Sequence, residues 1–168
     1  MFKPLDRPIA IVVVDSELSS ASVGGGKFLS RLIAESNAQS TVFAASDFKT
    51  IDVEKFEALL LAEVEIEASQ LLRKFHSQSK PIAAIGRSVL LIARTFAAEG
   101  IEVTTGEDAS LGIQLTAEGA LHTMCPANDY ISDRDNKTLT TPGSLHRKAP
   151  EGVTEGIKKL IRELVEMA

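Results

Sequence analysis

Tryptophan is absent, tyrosine occurs once and cysteine once, and aromatics make up 5% of the 168 residues. A single cysteine excludes an intramolecular disulfide and leaves the redox compartment open. So few aromatic rings leave little surface on which a flavin or a base could stack, so no cofactor is expected. Three histidines and one cysteine, none at metal-ligand spacing, give no basis for a metal site. The uninterrupted apolar run near the start, Ile9 to Val14, is too short for a signal-peptide core or a membrane span. Cytoplasmic placement is therefore the expectation. The net charge of -5 offers no attraction to nucleic acid or an anionic membrane.

What is present is an ordinary globular composition, 44% hydrophobic and 24% charged, in a length that suits one domain over residues 1–168. Continuous branched runs at Pro8–Val14, Thr41–Ala45, Ala58–Leu61 and Ile82–Ile85 predict strands buried on both faces. Phe28, Leu29, Leu32 and Ile33 fall on one helical face. Val64, Ala68, Leu71, Leu72 and Phe75 make a second stripe, and Val153, Ile157, Leu160, Ile161, Leu164 and Val165 a terminal one. Val89 to Ala98 reads as a buried helix, with Gly100 as its C-cap. Further strands are expected at Ile101–Thr104, Ala120–Met124, Tyr130–Ser132 and Thr138–Thr141, with a short helix over Ala109–Leu115. The turn chemistry of 133–137 makes a hairpin of the last two strands. Strands alternating with helices predict a parallel α/β sheet covered on both faces.

The chain is organised around residues 80–94. Between the Ile82–Ile85 strand and the Val89 helix stands Gly86, with no room for a loop. A strand that becomes a helix through one residue needs a strained backbone, often at positive φ. In many α/β enzymes that residue is the Ser or Cys of a nucleophile elbow. Here it has no side chain.

Gly24, Gly25 and Gly26 follow a strand and open a helix, so their amides are candidates for an anion. The stretch departs from the P-loop pattern at Ala21 and Phe28, and from the dinucleotide pattern at Leu29. The bland alternative is close packing. Arg87, at the carboxyl end of a parallel strand, is a candidate for a carboxylate or phosphate, or a plain surface charge. Ser88 is a candidate displaced nucleophile without an obvious base. Cys125 is a candidate reactive thiol or a small buried hydrophobe, and His122 points to the opposite face of an extended segment. His76 and His146 read as surface residues.

The elbow, the run from Cys125 to Pro142 and Glu155-Gly156-Ile157 together resemble the ElbB-like branch of the PfpI superfamily. That resemblance implies a class I glutamine amidotransferase-like, flavodoxin-like fold, a three-layer α/β/α sandwich; with the hairpin read above, the expected central sheet is mostly parallel with a C-terminal β-hairpin. It implies glyoxalase-type activity in the branch, and a homodimer by analogy. Carried over by position, however, the chemistry is missing. The elbow cysteine falls on Gly86, and the acidic partner falls near Ser22, in a stretch without Glu between Glu17 and Glu35. The oxyanion glycines fall on Ala62-Glu63-Val64. Two pocket-building segments, after the second and third strands, are reduced to short connections. The reading is a catalytically inactive domain that binds a small anion near Gly24–Gly26 and Arg87, or self-associates. The competing reading is a glyoxalase- or hydrolase-type enzyme with its nucleophile moved to Cys125 or Ser88.

Overall fold

The structure, a computed structural model, describes residues 5–145 and 150–168. Its centre is a six-stranded sheet in the order β2-β1-β3-β4-β8-β7. The strands are β1 (Ile9–Val13), β2 (Ser40–Ala44), β3 (Ala58–Ala62), β4 (Ile82–Ile85), β7 (Ile131–Asp133) and β8 (Thr138–Thr141). All pairings are parallel except β7 with β8, where Ile131 faces Thr140 and Asp133 faces Thr138. This is a flavodoxin-like sheet with the hairpin added at one edge.

Alternation along the strands explains the two cores. Ala10, Val12, Leu59, Leu61, Ile82 and Ala84 point to one face, under α2 (Ser69–Ser77) and α3 (Val89–Thr95). Ile9, Ile11, Val13, Leu60, Ala83 and Ile85 point to the other, under α1 (Gly26–Glu35) and α5 (Pro150–Met167). Because both faces are covered, the inner strands β1, β3 and β4 carry apolar residues at every position rather than every second one.

The layers are unequal. The crossover from β2 to β3 carries no α-helix, only 3-10 turns over Ala45–Thr50 and Val53–Lys55. Ile51, Val53 and Phe56 cover the sheet there instead.

Three expectations need correction. Val64 and Ala68 are buried, but they lie in an irregular strap, and α2 begins only at Ser69. Their helical spacing reflects burial against the core rather than helical geometry. The helix from Val89 stops at Thr95, followed by a 3-10 turn over Ala97–Glu99 and then Gly100 in the left-handed conformation. β5 (Glu102–Val103) and β6 (Leu121–His122) pair only with each other, flanking α4 (Ala109–Ala117). This small sheet is fastened to the hairpin, where Glu102 N–H donates to Asp133 and Thr104 N–H to Thr140 Oγ1.

Candidate functional site

The strand β4 runs extended to Ile85 (φ −115°, ψ 128°) and then turns through Gly86 at φ +64°. A 3-10 turn over Gly86–Ser88 leads into α3. The elbow inferred from sequence is therefore present, with a backbone conformation that glycine adopts most readily.

The space above Gly86 is occupied. A β-carbon there would overlap the carboxylate of Glu63, the residue that follows β3. Glu63 itself sits at φ +58°, a strained position for a residue with a side chain. Its backbone N–H donates to the Ile85 carbonyl at 3.0 Å, which places it against the end of β4. The carboxylate accepts the Arg87 N–H at 3.1 Å, the Ser144 N–H at 2.9 Å and the Ser144 hydroxyl at 2.6 Å. Gly143, at φ +53°, completes the enclosure; a side chain there would strike Glu63, Ile85 and the Gly86 amide.

Glu63 thus joins the end of β3, the elbow and the turn after β8. Its neighbours extend the attachment. Ser88 is fully buried, and its hydroxyl accepts the Val64 N–H at 2.8 Å and donates to the Val64 carbonyl at 3.1 Å. Both backbone groups of a buried residue are satisfied by one side chain. The Arg87 guanidinium pairs with Glu65 at 3.1 Å, with both side chains about half exposed (57% and 53%), so the pair adds little stability. Residues 63–65 are buttoned to residues 86–88 along their length.

The amide after an elbow nucleophile is a donor to the reaction's oxyanion in α/β-hydrolase elbows. Here the corresponding amide, Arg87 N–H, is already spent on Glu63. With no nucleophile at Gly86 and an internal carboxylate in its place, the elbow lacks the group that begins covalent chemistry.

The other sequence candidates lie elsewhere. Lys27 and Phe28 N–H, the first-turn donors of α1, both point to the Ser20 carbonyl at 2.9 and 3.3 Å. Gly25 N–H donates to the Ser22 carbonyl at 2.8 Å. Side chains at Gly25 or Gly26 would strike Ser20 or the Leu18 carbonyl and Val42, so these glycines allow close packing of loop, helix and β2. The Ser22 position, where the resemblance puts an acid, is exposed loop. Gly24–Gly26 and Arg87 share the carboxyl end of the sheet, yet β1 and β4 are separated by β3.

Cys125 is 3% exposed, and its thiol donates to the Pro126 carbonyl. Burial, with the Asp129 charge acting in the same direction and Lys159 opposing, pushes the thiol up to about 12. A thiolate is the reactive form, so this environment suppresses it. His122 Nε2 engages the Thr105 N–H and hydroxyl at 3.1 and 2.8 Å. His76, read from sequence as a surface residue, is half-buried: its ring lies 4.6 Å from that of Phe96, and Nε2 contacts Asn136 Oδ1. His146 lies outside the described residues. Among the described residues no group of three or more His, Cys, Asp or Glu could hold a metal ion.

Glu63 is the residue that sequence reading missed. Its position was visible only as a lost oxyanion glycine, and nothing in the local pattern shows that its carboxylate reaches Gly86.

Comparison with known proteins agrees with the fold. A structure of an isoprenoid biosynthesis protein with an amidotransferase-like domain from Ehrlichia chaffeensis superposes with a TM-score of 0.78 at 16% identity, covering 95% of this chain and 99% of that one. A ThiJ/PfpI domain protein from Brachyspira murdochii superposes at 0.65 with 12% identity, covering 98% and 97%. In sequence, the chain is 27% identical over 164 residues to the human glutamine amidotransferase-like class 1 domain-containing protein 3, mitochondrial. The match covers 88% of this chain and 59% of the human protein. The chain has the PfpI-like, class I glutamine amidotransferase-like fold. No family model matches it. A DJ-1 superfamily protein from Agrobacterium tumefaciens, at TM-score 0.65 and 15% identity over 91% of this chain and 88% of that one, shares the fold as well.

Proposed function

We propose that this PfpI-like domain is catalytically inactive, belongs to the ElbB-like side of the superfamily, and acts by binding. The observation that carries this reading is the Glu63 carboxylate lying over Gly86, where a nucleophile's side chain would stand. A site evolved for covalent chemistry needs that space for substrate and nucleophile. In this chain it is filled by an internal group with three hydrogen-bond donors.

The binding role is that of holding a small organic anion, or of self-association as a homodimer. Support for an anion comes from the fold, because open α/β sheets bind ligands outside the carboxyl ends of their strands. The reading includes a cytoplasmic location; the human relative is a mitochondrial protein. Among the described residues no helix is long and apolar enough to cross a membrane.

The competing enzyme would use Ser88 or Cys125. Ser88 is spent on Val64 and Cys125 is buried and hydrogen-bonded, so each would have to leave its partner to react. Incubation with p-nitrophenyl acetate followed by intact-mass and peptide analysis tests this. The proposal expects no acyl adduct on Ser88 or Cys125 in the native protein. A stoichiometric adduct on either, abolished by substitution to alanine, would overturn it.

A further inference from the structure

A cleft lies on the α2 face beside the helix-free crossover from β2 to β3. It has a volume of about 520 Å³ and lies between residues 48–51 of the crossover and the first two turns of α2. That size falls in the range of small-molecule pockets, about 300–1,000 Å³. Its floor is apolar. Ile51, Ala68 and Leu71 belong to the core, and the half-buried ring of Phe48 packs against it.

The rim is charged, and its charge runs against that of the chain as a whole. Lys49 and Lys74 stand on its two sides, one on the crossover and one on α2, both exposed. Neither ammonium is ion-paired among the described residues; Lys49 lies 6.0 Å from the centroid of the Phe48 ring. One carboxylate, Glu67, also lines the cleft, but its Oε1 accepts both the N–H and the hydroxyl of Ser69. Two unpaired cations therefore face one engaged anion in a chain whose net charge is -5. An apolar floor between two cations suits a molecule with a hydrophobic body and an anionic end.

We infer that this cleft is a binding site for a small organic anion with an aromatic or aliphatic body, its charged end held between Lys49 and Lys74 and its body on Phe48, Ile51 and Leu71. The inference rests on the proposed binding role and moves the ligand from Gly24–Gly26 and Arg87 to the α2 face.

The test is a titration of the full chain with phenyl phosphate, followed residue by residue in ¹H–¹⁵N correlation spectra. Inorganic phosphate and benzyl alcohol serve as the two halves of the probe. Phenyl phosphate should shift residues 48–51 and 67–74, and more tightly than either half alone. Lys49→Gln and Lys74→Gln should each weaken binding by about 3- to 10-fold, as expected for removing one charge-assisted contact at a part-exposed site. Both lysines are exposed, so the variants should melt as the native chain does. Shifts centred on Gly24–Gly26 and Arg87 would overturn the cleft while leaving anion binding standing. No shifts into the millimolar range, or shifts that ignore both lysine substitutions, would also overturn it. Methylglyoxal turnover by the native chain would sink the binding role independently of this titration.

Discussion

The carboxylate of Glu63 occupies the position that a side chain at Gly86 would need, and the two residues hold their places through positive φ angles of 58° and 64°. Each is odd alone. Together they form a lock, in which the absent side chain at the elbow is the space into which the strap after β3 is fastened.

Gly86→Ala should therefore be costly twice over, through the φ angle and through overlap with Glu63. We expect a loss of about 1–3 kcal/mol in urea unfolding, or more where the strap cannot shift. Adding Glu63→Gly should remove the overlap, so the double variant should be more stable than the sum of the single losses predicts. Additive losses would show that the two residues do not compete for one space.

Glu63→Ala should destabilise more than Glu63→Gly. Both lose the contacts to Arg87 N–H and Ser144. Only glycine also relieves the left-handed backbone, a difference of about 1 kcal/mol in unfolding free energy. Equal losses would mean the strap relaxes to negative φ once the carboxylate is gone.

Ser88→Ala leaves the Val64 N–H and carbonyl without their shared partner in a buried position. The expected loss is about 1–3 kcal/mol. A hydroxyl acting as nucleophile would instead announce itself by lost turnover at unchanged stability.

His122 supplies a pH signature. Burial lowers its pKa below the ordinary 6.5, with the Asp108 charge partly offsetting it. The Thr105 N–H donates to Nε2, which also requires that nitrogen to be unprotonated. The folded state therefore binds this proton less readily than the unfolded chain. Its contribution to stability is present above the unfolded-state value and is lost as pH falls through the lower folded-state value. His122→Gln should flatten the stability curve on the acid side of 6.5, and an unchanged slope there would assign the loss to other groups.

Much of the architecture was legible because β1, β3 and β4 are buried on both faces and so carry unbroken apolar runs. The elbow was legible too, since a strand and a helix separated by Gly86 leave one way to turn. The strap at Val64–Ala68 misled because burial at three- and four-residue spacing looks the same whether a helix or a tertiary attachment produces it. β5 and β6 form a sheet of their own that is tied to the hairpin by Asp133 and Thr140, side chains far along the chain that the local pattern does not reveal. The Glu63 plug belongs to the same class, because its donors come from residues 87 and 144.

The proposal that this domain is catalytically inactive is tested most directly by methylglyoxal turnover. The purified chain would be assayed beside a Cys125→Ala variant and an active member of the superfamily. We predict turnover no greater than buffer for the native chain, with the control active. Turnover by the native chain that disappears in Cys125→Ala would place a working nucleophile outside the elbow and contradict the account.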